Sequence, residues 1–121
     1  MSDIQGFIDF LQSYHDDVFA CETRAKEAID AGNSDEYKNQ MRMKAQKMAA
    51  IEEASESHLE KLEGAVRENT EAKLRQFSFM AQKGLEIGSP FFWSALLWNE
   101  DADPSDPDNL QLFINELKKE G

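Results

Sequence analysis

Apolar residues recur at three- and four-residue steps along most of the chain, the spacing that places them on one face of an α-helix. Ile4, Phe7, Leu11, Tyr14, Val18, Cys21, Ala25 and Ile29 form the first such stripe and predict a helix over 3–31. Gly32 and Asn33 end it, because glycine takes the left-handed position after a helix at little cost. Asn33 can then cap a following helix, with Glu36 three residues on. A second stripe, Tyr37, Met41, Ala45, Met48, Ile51, Ser55, Leu59 and Leu62, predicts a partner helix of nearly equal length. The link between the two is very short, so an antiparallel hairpin is expected.

No hard breaker stands between Asn33 and Ile87. A continuous helix there would run about 80 Å at 1.5 Å per residue, whereas a compact chain of this size has a radius of gyration of about 14 Å. A turn is therefore expected within 63–70, near Gly64. A third stripe follows, Val66, Leu74, Phe77, Ala81, Gly84 and Leu85, ending at Gly88. Ser89-Pro90 is a restart signal, a capping hydroxyl followed by proline at the first helical position, and it opens a short helix from Phe91 to Trp98. Residues 99–109 hold five acidic residues and two prolines and read as a loop. Asp106-Pro107 then opens a last helix with Leu110, Phe113, Ile114 and Leu117 on one face and Lys118 and Lys119 near its C-terminus. The expected fold is all-α, one helical domain over 1–121. Three long helices pack up-down-up, and the short hydrophobic helix and the C-terminal amphipathic helix close one end.

Charge narrows the function classes. The 121 residues include 24 acidic and 13 basic side chains, a net charge of −11. Segments 1–31, 32–63, 64–88 and 89–121 carry −5, −2, +1 and −5. Such a chain lacks the cations that release phosphate counterions, and its field repels nucleic acid and anionic lipid, so neither is an expected partner. The single Cys21 excludes an intramolecular disulfide and suits a reducing compartment. The N-terminus shows no basic segment followed by an apolar one, and the longest apolar run, Pro90–Trp98, is half a membrane span. A cytoplasmic location is the expectation.

Catalytic and metal chemistry find little footing. Asp101, Asp103 and Ser105 match the opening alternation of a calcium loop, but Asp106 stands where glycine must turn the chain and Leu112 where a bidentate glutamate must close the shell. His15 and His58 follow Gln12 and Ser55 at three residues, so neither completes the Glu-x-x-His motif of a carboxylate-bridged metal pair. His15 lies about 120° round the helix from Cys21, which leaves that thiol without a facing base. No catalytic residue, metal or cofactor is expected. Polar residues do intrude on the stripes: Glu22 and His15 on the first helix, Lys44 on the second. Pairing residue i with about 65 − i across the hairpin sets Lys44 near Cys21 and Glu22, and a partly buried Glu22–Lys44 pair is the expectation. The run Lys38, Arg42, Lys44, Lys47 does not share one helix face and is no anion patch.

Phe91, Phe92, Trp93, Leu96, Leu97 and Trp98 place six large apolar residues in eight positions. One short helix cannot turn all six into a small core, so these residues either fill the space between the hairpin and the last helix or form an interface or pocket. Met41, Met43, Met48 and Met80, at helical spacing, read as core. The functional expectation is a non-catalytic interaction or scaffold module, meeting a protein partner or a second copy as a homodimer. The alternative is a small-molecule site with an apolar pocket beside 91–98.

Overall fold

A computed structural model describes residues 3–98, 103 and 105–120. It is all-helical, with α1 Asp3–Asp30, α2 Ser34–Ala49, α3 Ile51–Ala54, α4 Glu56–Leu59, α5 Gly64–Ile87, α6 Pro90–Ala95 and α7 Asn109–Glu120. No helix among the described residues is long and apolar enough to cross a membrane.

The hairpin forms for the reason its link suggests. Gly32 sits at φ +77°, and the Asn33 side chain accepts the Glu36 N–H at 3.1 Å, which satisfies one of the orphan donors at the start of α2. Glu22 meets Lys44 and the Tyr14 hydroxyl donates to the Lys47 carbonyl, so α1 and α2 run antiparallel. The inner face of α1 is Ile4, Phe7, Ile8, Leu11, Val18, Cys21, Ala25 and Ala28. Ile29 points to solvent instead, because the stripe of a 3.6-residue helix drifts round its axis and by the eighth turn has passed to the Ala28 side.

The second long helix expected over 33–62 is broken at Ala50 and Ser55. The cause lies 30 residues away. Ser78 of α5 inserts its hydroxyl into the gap, accepting the Glu52 N–H at 3.1 Å and donating to the Met48 carbonyl at 3.3 Å. Ser55 bonds back to the Ile51 carbonyl at 2.7 Å, a contact that bends helices. The chain turns over 60–63, slightly before the expected span, and Gly64 opens α5 at φ +64°. Arg75 of α5 reaches Glu52 at 3.2 Å, and α5 packs along both α2 and α3.

The C-terminal elements close the structure. Gly88 N–H bonds to the Gly84 carbonyl at 3.0 Å, and the Ser89 hydroxyl accepts the Phe92 N–H at 3.4 Å. The short helix stops at Ala95 rather than Trp98, since Leu96 is extended (ψ 137°) and Leu97 takes φ +74°. The last helix is capped by Asp108, not Asp106: Asp108 Oδ1 accepts the Gln111 N–H at 2.8 Å. Against α1, α7 packs Leu110, Ile114 and Leu117, and the amides of Gln12 and Gln111 bond reciprocally at 2.8 and 3.1 Å. Phe113 meets Phe77 of α5 edge-on, ring centres 6.0 Å apart.

Candidate functional site

Two features stand apart from ordinary core packing: a buried polar cluster where α1, α2, α6 and α7 converge, and an apolar groove beside it.

The cluster is built on helical spacing. His15 and Glu22 are two turns apart on one side of α1, and Lys44 faces them from α2. Lys44 has 0% of its surface exposed. Its ammonium lies 2.8 Å from Glu22 Oε1 and donates to the Ser94 carbonyl of α6 at 3.2 Å. The Trp98 indole N–H donates to the same Glu22 oxygen at 3.2 Å. His15 Nε2 is 2.9 Å from Asp108 Oδ2, and its Nδ1 is 3.3 Å from Asp16. Asp108 therefore serves twice, as partner to His15 and as cap of α7. Burial pushes the Lys44 ammonium below its ordinary range, opposed by the attraction and hydrogen bond of Glu22. The Asp108 hydrogen bond moves His15 above its ordinary value, against the opposing effect of burial.

The arrangement is that of a clamp. Both ring nitrogens of His15 are held by carboxylates, which favours the imidazolium. Burial raises the Cys21 thiol, keeping it protonated at neutral pH. The Ser94 hydroxyl donates to the Phe91 carbonyl at 2.8 Å. No group of three or more His, Cys, Asp or Glu is gathered for a metal among the described residues. Of the calcium-like loop, Asp101 lies outside those residues. Asp103 Oδ1 accepts both the N–H and the hydroxyl of Ser105, at 2.9 and 2.8 Å, which holds its carboxyl below the usual range. Asp106 accepts the Asp103 N–H at 3.0 Å. These carboxylates shape a turn.

The six residues of 91–98 divide. Trp93 is core: its indole N–H donates to the Gly84 carbonyl at 2.8 Å, and the Arg42 guanidinium lies 5.2 Å over its ring. The close approach needs glycine at 84, where a Cβ would stand 2.8 Å from the Phe92 ring. Leu96 and Leu97 are buried, Phe92 and Trp98 half-buried, and Phe91 is 83% exposed. Leu96, Leu97, Trp98 and Phe92, with Phe77 and Met80 of α5, line a groove of about 360 Å³. Leu97 at φ +74° carries a backbone strain of about 1–3 kcal/mol, held by its buried side chain and by the Asn109 N–H bonded to its carbonyl at 2.8 Å.

The sequence does not reveal the Asp108–His15 pairing or the exposure of Met80, Phe79 and Ile87. Asp108 is legible afterwards as a cap with Gln111 three residues on, but its pairing with His15 is a contact across 93 residues. Met80, read as core, is exposed, and so are Phe79 and Ile87. Phe79 and Met80 sit off the Leu74–Phe77–Ala81 line, a signal visible in the spacing.

Two outcomes follow from the cluster. Glu22→Ala leaves the Lys44 ammonium buried without its counter-charge and is expected to lower unfolding free energy by about 3 kcal/mol or more in urea titration; a loss no larger than that of an exposed substitution contradicts the pairing. For His15 the folded pKa is raised, so its contribution is whole below the unfolded value and is lost as pH rises through the folded one. The stability difference between the native chain and His15→Gln should therefore shrink as pH rises from the ordinary histidine value of about 6.5 through the raised folded one. A difference constant with pH, or one that grows, contradicts the His15–Asp108 assignment.

No family model matches the chain, and no curated protein or solved structure is similar enough to count as a match.

Proposed function

We propose that this protein is a non-catalytic helical interaction module, meeting a protein partner or a second copy of itself through the outer face of α5 and the start of α6. One observation carries the reading: Phe79, Met80, Ile87 and Phe91 are all exposed, and all fall on this part of the surface. At 100° per residue, Phe79, Lys83, Gln76, Ile87, Met80 and Lys73 follow one another round an arc of about 120° on α5. That arc holds no carboxylate, since Glu68, Glu71 and Glu86 all lie outside it. In a chain with 24 acidic residues, an arc where exposed apolar side chains alternate with lysines, and where Glu86 stands at the edge paired to Lys83 at 3.7 Å, is a surface suited to contact. A cytosolic setting belongs to the same proposal, supported by the single buried cysteine.

A second reading, a small-molecule site beside α6, is favoured by the groove, whose volume of about 360 Å³ falls within the roughly 300–1,000 Å³ of ligand pockets.

The first reading is tested with the triple variant Phe79→Ser, Ile87→Ser and Phe91→Ser. Because all three side chains are exposed, each change is expected to alter folding stability by no more than about 0.5 kcal/mol. Sedimentation velocity over a concentration series, paired with affinity capture from the source cell, should show association in the native chain and its loss in the variant. A native chain that stays monomeric and captures the same proteins as the variant contradicts the proposal.

A further inference from the structure

The groove has a chemical asymmetry that the exposed face lacks. Its walls are Phe77, Met80, Phe92, Leu96, Leu97 and Trp98, with Met48 also contributing. Among the described residues no Asp or Glu lines it, Lys73 is the sole ionic side chain that does, and Gln76 and Asn109 add two amides. Lys73 is half-buried, and its ammonium lies 5.4 Å over the Phe77 ring. Among the described residues it has no ion pair, whereas the other lysine held against the core, Lys44, has its carboxylate at 2.8 Å. Walls that are mainly aliphatic and aromatic, with the Gln76 and Asn109 amides and the Lys73 ammonium at the edge, are complementary to a ligand with an apolar tail and one negative charge. A polyanion is disfavoured, because a single lysine neutralises one charge while the chain as a whole carries −11.

We infer that the groove between α5, α6 and the Leu96–Trp98 segment binds a small amphiphilic monocarboxylate, its tail against Phe77, Met80 and Leu96 and its carboxylate at the Lys73 ammonium. The inference rests on the small-molecule reading of this groove, whose lining shares Lys73, Gln76 and Met80 with the interaction face. It also gives Trp98 a reporting position, since its ring forms part of the wall while its N–H is tied to Glu22 in the polar cluster.

The test uses tryptophan fluorescence and calorimetry with three probes of equal chain length, decanoate, decanol and decylammonium, against the native chain, Lys73→Met and the groove-filling Ala95→Trp. Decanoate should bind up to about fivefold more tightly than decanol, the upper end of the scale of a partly exposed ion pair, and decylammonium more weakly than either. Lys73→Met should bring decanoate down to the level of decanol and leave decanol unchanged, and Ala95→Trp should weaken both. If decanol and decanoate bind alike and Lys73→Met changes neither, the groove stands as a pocket and the carboxylate assignment falls. Absence of binding by all three probes overturns the small-molecule reading together with the inference. Binding that Ala95→Trp leaves intact places the ligand elsewhere and also overturns it. So does a dimer in native mass spectrometry that decanoate merely dissociates, because a second copy is then the occupant.

Discussion

A lysine ammonium taken wholly out of water must be neutralised where it lies, and the convergence of α1, α2, α6 and α7 around Lys44 answers that requirement. Glu22 supplies the counter-charge at 2.8 Å and the Ser94 carbonyl a further acceptor at 3.2 Å. The Trp98 indole takes up the remaining hydrogen-bonding capacity of Glu22 Oε1. Each bond comes from a different element, so none is made until the elements have docked. The His15–Asp108 pair extends the same logic to α7, whose cap is also the histidine's partner. Such networks add little net stability compared with an apolar core of the same shape. Their effect is on specificity: any other docking of the C-terminal third separates His15 from Asp108 and strips the Glu22–Lys44 pair of its Ser94 and Trp98 contacts.

What the sequence made legible follows from whether the determining contact is local. The first helix, the Gly32–Asn33 turn, the Gly88 stop and the Ser89-Pro90 restart all rest on residues within four positions of one another, and all stand in the structure. The break at Ala50 was not legible, because the residue that stabilises it, Ser78, belongs to another helix. Helical periodicity continues through the break and hides it. Trp93 and Phe91 show the same limit for the site. Both lie in one apolar run, and only the tertiary approach of Gly84 decides that Trp93 turns inward and Phe91 outward. The Glu22–Lys44 proximity was accessible because an antiparallel hairpin with a known turn sets its own register.

Charge is distributed in a way that accords with the functional proposal. The two ends of the sequence each carry −5, while the segment that becomes α5 carries +1. Four of the exposed large apolar side chains, Phe79, Met80, Ile87 and Phe91, lie on that helix and the start of α6. The groove continues this surface inward, bringing Met80 of the face and Trp98 of the polar cluster into one lining. The strained Leu97 lies between them, held by its burial and by the Asn109 N–H. An occupant of the groove would thus touch the segment that joins the face to the cluster.

A buried polar cluster that joins α6 and α7 to the hairpin makes the three one cooperative unit. Native-state hydrogen exchange tests it most directly, by comparing opening free energies of core amides in α7, at Ile114 and Leu117, with those in α1, at Leu11 and Val18. Both sets are expected to exchange with the same free energy, which falls together as urea is added. Exchange of the α7 amides at a clearly lower free energy, with α1 unaffected, would mean that α7 opens independently and that the cluster does not unite the fold.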